Sequence, residues 1–114
     1  MKLPRLSVLL TMAMAPAMAW ADPIEGEWIT TDGISIALIE GCGDRFCIIA
    51  KNGDWPGREI GRVKAAGKGT YSGTITDPRD ERTYSGRAML KGNSLKLTGC
   101  ALKIFCQTEI WQRR

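Results

Sequence analysis

The chain contains no histidine. That absence removes the commonest general base, the usual partner of a catalytic Ser or Cys, and the most frequent metal ligand. Other catalytic signatures are missing too: no G-x-x-x-x-G-K-[ST] phosphate loop and no G-x-S-x-G nucleophile elbow occurs. The carboxylates Asp77, Asp80 and Glu81 cluster, but in a charged turn that gives no pair of divergent environments for acid–base work. The sequence therefore points to a protein that is not an enzyme, with no cofactor and no metal. Charge of one sign is lacking as well. Lys and Arg number 16 against 12 Asp and Glu, and they are interleaved rather than clustered, which excludes a nucleic-acid footprint. Beyond the first residues no apolar repeat recurs at helical spacing, and no run is long enough for a stable membrane span.

What is present begins with a targeting segment. Lys2 and Arg5 precede a largely apolar stretch, Leu6 to Ala15, followed by two A-x-A options, Ala17-Met18-Ala19 and Ala19-Trp20-Ala21. This reads as a secretory signal peptide over residues 1–21, cut before Asp22-Pro23. The expected location is periplasmic or secreted, with one domain over 22–114. Without Lys2 and Arg5 the balance is 14 basic residues against 12 acidic, so the high pI belongs partly to the leader.

Four cysteines stand in two close pairs, Cys42/Cys47 and Cys100/Cys106. In a small exported chain an even count reads as disulfides, whereas these spacings suit zinc poorly. Three pairings are possible. Loop entropy favours a long link such as Cys42–Cys100, about 4 kcal/mol against about 2 kcal/mol for a local loop. Hairpin register satisfies the distance limit for local pairs without further assumptions. Local pairing, Cys42–Cys47 and Cys100–Cys106, is the expectation.

The remainder reads as short strands and turns. Gly26–Thr31 and Ile34–Glu40 flank Asp32-Gly33, a two-residue hairpin signal that puts Ile34, Ile36 and Leu38 on one face. Phe46–Lys51 runs back. Asn52–Lys68 is a Gly-rich loop around Trp55 with a short strand near Glu59–Val63. Gly69–Thr76 and Arg82–Leu90 form a central hairpin about Pro78. Pairing Thr76 with Thr83 sets Ile75 against Tyr84 and Tyr71 against Ala88, an apolar face opposite a Ser/Thr face. Ser94–Cys100 and Phe105–Gln112 complete seven or eight strands. Nearest-neighbour hairpins predict an all-β fold, a small antiparallel up-and-down barrel whose closure removes sheet edges. The expected inward set is Trp28, Ile36, Leu38, Ile75, Tyr84, Leu95 and Leu97. In a closed barrel the first and last strands are neighbours, so Arg113 or Arg114 can cover the Trp28 ring.

The G-x-W of Gly26-Glu27-Trp28 resembles the start of lipocalin-like (calycin) barrels. More of the chain resembles the bacterial domain-of-unknown-function family 2147. The shared features are Asp22-Pro23-Ile24-x-Gly26-x-Trp28, Cys42-Gly43-Asp44-x-x-Cys47, the hairpin from Tyr71 to Pro78 with its return Asp80–Tyr84, Leu95-Lys96-x-x-Gly99-Cys100, and Gln107 to Arg113. Glu81 departs from a position where that family carries glycine, which implies strain or a different turn. The resemblance implies an exported calycin-like barrel and supplies no catalytic residue.

Two kinds of function follow. The first is a monomeric binding protein for a small apolar ligand, with Trp28, Tyr71, Tyr84 and Gly86 as candidate lining. Here either Gly73, Gly86 and Ala88 leave space beside Tyr84, whose hydroxyl needs a partner if buried, or the large rings of Trp28, Tyr71 and Tyr84 occupy the whole interior of so small a barrel and the core is dry and filled. The second is a protein-interaction module, such as a periplasmic inhibitor of a lysozyme-type hydrolase, with Trp55, Arg58, Arg62 and Lys64 as a contact patch. A structural envelope protein is a third reading.

Overall fold

The computed structural model describes residues 22–102 and 104–114. The expected signal peptide lies outside the described residues. Eight antiparallel strands follow in chain order: β1 (Gly26–Ile29), β2 (Ile36–Cys42), β3 (Arg45–Ala50), β4 (Glu59–Gly67), β5 (Thr70–Asp77), β6 (Arg82–Lys91), β7 (Ser94–Ala101) and β8 (Phe105–Arg113). Each pairs with the next, and β1 returns to β8, giving a closed up-and-down barrel.

The central hairpin has the register its composition predicts. Thr76 pairs with Thr83, Ile75 with Tyr84, and Tyr71 with Ala88. At its turn Asp77 Oδ1 accepts the Arg79 amide at 2.9 Å, and the Glu81 amide bonds the Asp77 carbonyl at 2.8 Å. Glu81 takes φ 63°, the left-handed conformation that glycine adopts without a Cβ penalty. Both local disulfides form, Cys42–Cys47 and Cys100–Cys106. Each ties neighbouring strands of one hairpin on the outer wall.

The first hairpin differs from expectation. Instead of a two-residue turn, Thr30–Ser35 form a longer loop organised by Asp32. Its Oδ1 accepts the amides of Ile34 and Ser35 at 2.8 and 2.7 Å. The Ser35 hydroxyl and amide, then the Ile34 amide, hold the Asp32 carboxyl well below the usual carboxylate range. The longer loop leaves Ile34 outside the strand, 76% exposed, and sets β2 one residue out of the expected phase. Ala37 and Ile39 therefore face the core, while Ile36 and Leu38 are only half-buried. Trp28 explains the choice: it pairs with Ala37, and the small residue leaves room for the ring.

The core consists of Ile24, Trp28, Ala37, Ile39, Ile48, Val63, Tyr71, Ala88, Leu95, Leu97 and Trp111. Ile75 packs against it half-buried, as expected, and Tyr84 is half-buried on the same face. A register shift between Ile48 and Ile49 bulges the β3–β4 ladder and brings Ile60 as well as Gly61 toward the interior.

A glycine row crosses the barrel where Gly73 pairs with Gly86 and Gly86 with Gly99. Of the two alternatives, an open space or a filled core, this row shows the filled one. A Cβ on Gly73 would meet the Arg62 carbonyl oxygen at 1.9 Å, and one on Gly86 would meet Ile75 Cγ1 at 2.8 Å. The row lets the sheet coil inward until Ile75 closes over Gly86 and Tyr84 over Gly99. Leucine at position 86 is thus a packing clash rather than a filled void.

Candidate functional site

The two ends of the barrel differ in construction. One carries the β2–β3, β4–β5 and β6–β7 turns, the start of β1 and the end of β8. Here Asp22–Glu25 fold across the opening as a plug. The Trp28 indole donates to the Ile24 carbonyl at 2.9 Å, and the Tyr71 hydroxyl donates to Asp22 Oδ1. The Arg113 guanidinium lies 4.3 Å above the Trp28 ring centroid and donates to the carbonyls of Pro23 and Glu25. Phe46 meets Tyr71 edge-on, with centroids 5.8 Å apart. Desolvation, then the Asp22 hydrogen bond and charge, push the Tyr71 phenol far above its ordinary value. Trp28 and Tyr71, two of the four candidate lining residues, are therefore structural members of this plug.

The other end carries the loops at 30–35, 51–58 and 78–81 and the β7–β8 connection with Leu102 and Ile104, and it is apolar at its rim. Ile34, Leu102, Ile104 and Phe105 are 76%, 82%, 74% and 66% exposed. They sit on the β1–β2 and β7–β8 connections and, for Phe105, at the start of β8, which are neighbours where the barrel closes. Beneath them lie half-buried Ile60, Ile75 and Tyr84. Among the described residues the Tyr84 hydroxyl has no protein hydrogen-bond partner. The mouth widens on one side because β1 is short: its pairing with β8 spans only Trp28–Arg113 and Ile29–Gln112. The inward residues Phe105, Gln107 and Glu109 are exposed as a result, although the Trp111 indole anchors Glu109 Oε1 at 2.9 Å.

The same shortfall leaves part of β8 with a free edge. Arg114 N–H bonds the Glu27 carbonyl, Thr31 Oγ1 bonds the Ile110 carbonyl, and Arg113 N–H bonds Asn93 on the opposite side. Even-numbered residues therefore point their backbone groups toward β1. Those of Cys106 and Thr108 lie beyond the last β1 pairing.

The residues expected to form a contact patch run from the open end down the β4 wall. Trp55 is half-buried at the open end. Arg58 bonds Glu81 across two loops, while Arg62 and Lys64 stand on the β4 wall beside Glu59 (2.8 Å) and Asp44 (3.8 Å). The apolar rim of Leu102, Ile104 and Phe105 was not foreseen. Its signal is visible in the sequence as apolar residues between Cys100 and Cys106, inside a turn where polar residues are usual. Among the described residues no group of His, Cys, Asp and Glu could hold a metal ion.

Comparison with known families gives a match over more than half of the chain. Residues 50–113 fit the family described as "Uncharacterized protein conserved in bacteria (DUF2147)". The chain belongs to this family. The matched region runs from the end of β3 through β8, so the two earliest motifs of the resemblance, Asp22–Trp28 and Cys42–Cys47, lie before it. No curated protein and no solved structure gives a significant match.

Proposed function

We propose that this DUF2147 barrel is a non-enzymatic, exported binding protein that receives an apolar group at its open end. The observation that carries this reading is the contrast in side chains between the ends. One end has its aromatic and aliphatic groups sealed beneath the Asp22–Glu25 plug. The other exposes four bulky apolar residues and holds an inward tyrosine whose hydroxyl has no protein partner among the described residues. Monomeric domains seldom leave such residues together at one edge without a use for them. The apolar groups supply affinity and the Tyr84 hydroxyl supplies one directional contact, the usual division of labour in a small-ligand site. Disulfides on the outer wall and the leader-like first residues support export.

A neutral apolar fluorophore tests the site. Binding at one site with micromolar affinity is expected, weakened about tenfold by Phe105→Asp, a loss worth about 1.4 kcal/mol. Tyr84→Phe should weaken it less. Binding unaffected by Phe105→Asp, or no binding to the native protein, overturns the assignment.

The free β8 edge favours a second reading, a protein-interaction module that accepts an extended segment of a partner by strand addition. Thr108→Pro removes one edge N–H without touching the β7 ladder, and edge strands tolerate proline. A partner captured by the wild type and lost in Thr108→Pro, with fluorophore binding intact, would establish this reading over the first.

A further inference from the structure

The outer wall of β5–β8 is chemically unlike the rest of the surface. Side chains alternate along each strand, so the outward set is fixed by the register. It includes Ser72, Thr74 and Thr76 on β5, Thr83, Ser85, Arg87, Met89 and Lys91 on β6, Ser94, Lys96 and Thr98 on β7, and Thr108 and Ile110 on β8. No outward position of these four strands carries a carboxylate. The acidic residues of this half lie at the β5–β6 turn or, as Glu109, on the inward face. Arg87, Lys91 and Lys96 are exposed and form no ion pair among the described residues, unlike Arg62 and Lys64 of neighbouring β4.

Two depressions mark the same wall. One, of ≈ 640 Å³, lies over the glycine row and is lined by Ser72, Ser85, Arg87 and Thr98 with the Cys100–Cys106 bridge at its edge. The other, of ≈ 180 Å³, is lined by Met89, Lys91, Ser94, Lys96 and Ile110. Arg87 pairs with Thr98 and Met89 with Lys96, so the two occupy successive outward rows of the same strands and form one continuous track. Strand geometry spaces Arg87, Lys96 and Lys91 roughly 8–14 Å apart along it.

We propose that this track binds an acidic polysaccharide, a sugar chain carrying carboxylates at intervals. Cations set apart by neutral hydroxyl positions suit a polymer whose charges are separated by sugar rings. The hydroxyls can both donate to and accept from the sugar hydroxyls between those charges. The Ser72 and Thr74 hydroxyls have no protein partner among the described residues and remain available. The track has no outward aromatic ring on which nucleic-acid bases could stack. The bulky apolar groups on this wall, Met89 and Ile110, are 38% and 44% exposed, less than the 66–82% of those at the open end, where insertion into a bilayer would be centred. The assignment is independent of ligand binding at the mouth.

Polygalacturonate is the test ligand, with its fully methyl-esterified form, phosphatidylglycerol vesicles and single-stranded DNA as comparators. Polygalacturonate should bind and its neutral ester should not. Arg87→Gln with Lys96→Gln should reduce affinity about tenfold and flatten its salt dependence. Arg45→Gln with Lys51→Gln removes the same charge from outside the track and should leave affinity unchanged. Ser72→Ala with Thr74→Val keeps every charge and should still weaken binding measurably. Melting curves confirm that each variant remains folded. Equal loss in the Arg45/Lys51 control, no effect of the hydroxyl variant, or tighter binding to vesicles or DNA than to polygalacturonate overturns the proposal.

Discussion

At the plugged end Ile24, Trp28 and Tyr71 are 0%, 0% and 4% exposed; at the open end Ile34, Leu102 and Phe105 are 76%, 82% and 66% exposed. Residues of the same chemical type thus meet opposite fates within one small barrel. What separates the ends is a short segment before β1. Asp22–Glu25 bring a buried isoleucine, two backbone carbonyls for Arg113 and a carboxylate for Tyr71 to one opening. Nothing comparable among the described residues crosses the other. Stability should therefore concentrate at the plugged end and recognition at the open end, as local differences in burial imply.

The largest test of that division is the tryptophan pair. Trp28→Ala removes a fully buried ring and its cation–π partner and should cost about 3–5 kcal/mol in denaturant melts. Trp55→Ala, at the open end, should cost under about 1 kcal/mol. Equal losses would dissolve the distinction between the ends.

The bridges come next. Each closes a short loop worth about 2 kcal/mol in the chain-entropy model. Cys47 is 5% exposed, whereas Cys106 is exposed. Replacing Cys42 and Cys47 by alanine should therefore lower the melting temperature more than replacing Cys100 and Cys106. Non-reducing peptide mapping should return the two local pairs alone.

Tyr71→Phe deletes the hydrogen bond to Asp22 and should cost about 1 kcal/mol. The same contact predicts an alkaline signature. The folded phenol titrates above its unfolded value of about 10, so its contribution is complete below that pH and is lost as pH rises through the folded value. In Tyr84→Phe, where Tyr71 is the remaining phenol, tyrosinate absorbance should rise well above pH 10 and together with loss of the plug.

The smallest expected effect is at the open end's own turn. Glu81→Gly relieves a left-handed residue, a gain of up to about 1 kcal/mol, and gives up an exposed ion pair with Arg58 worth less than that. A slight rise in melting temperature is expected. A fall would show that the Arg58–Glu81 link holds the open-end loops together.

The sequence made some of this architecture readable and hid the rest for physical reasons. The β5–β6 register was legible because its two faces differ in chemistry, with Ile75 and Tyr84 against Thr76 and Thr83. The β2 face was not, because Ile36-Ala37-Leu38-Ile39 is apolar on both sides and alternation carries no information there. The turn chemistry of Asp32 decided the phase, and its side chain captured more of the loop than a two-residue turn would. The Trp28–Arg113 contact followed from closure alone. The inward glycines left a void and a filled core equally open, because a missing side chain does not say whether the neighbouring backbone and Ile75 close into its place. The acid-free wall was overlooked because net charge is a sum. The carboxylates that balance it lie on turns and on the inner face, which only the register reveals.

The plug has a consequence if the chain is cut before Asp22, as its first residues predict. The Asp22 backbone nitrogen donates to Glu25 Oε2 at 3.0 Å, and Glu25 Oε1 accepts the Gly41 amide at 3.3 Å. In a chain trimmed after Ala21 that nitrogen is a free ammonium, and the contact becomes a charge-assisted bond that ties the new terminus to the β2 wall. An untrimmed chain offers only an amide there. Correct trimming would then be written into the stability of the barrel itself. The mature chain should melt above both the precursor and a form beginning at Trp20, and identical melting of all three would show that the terminus goes unread.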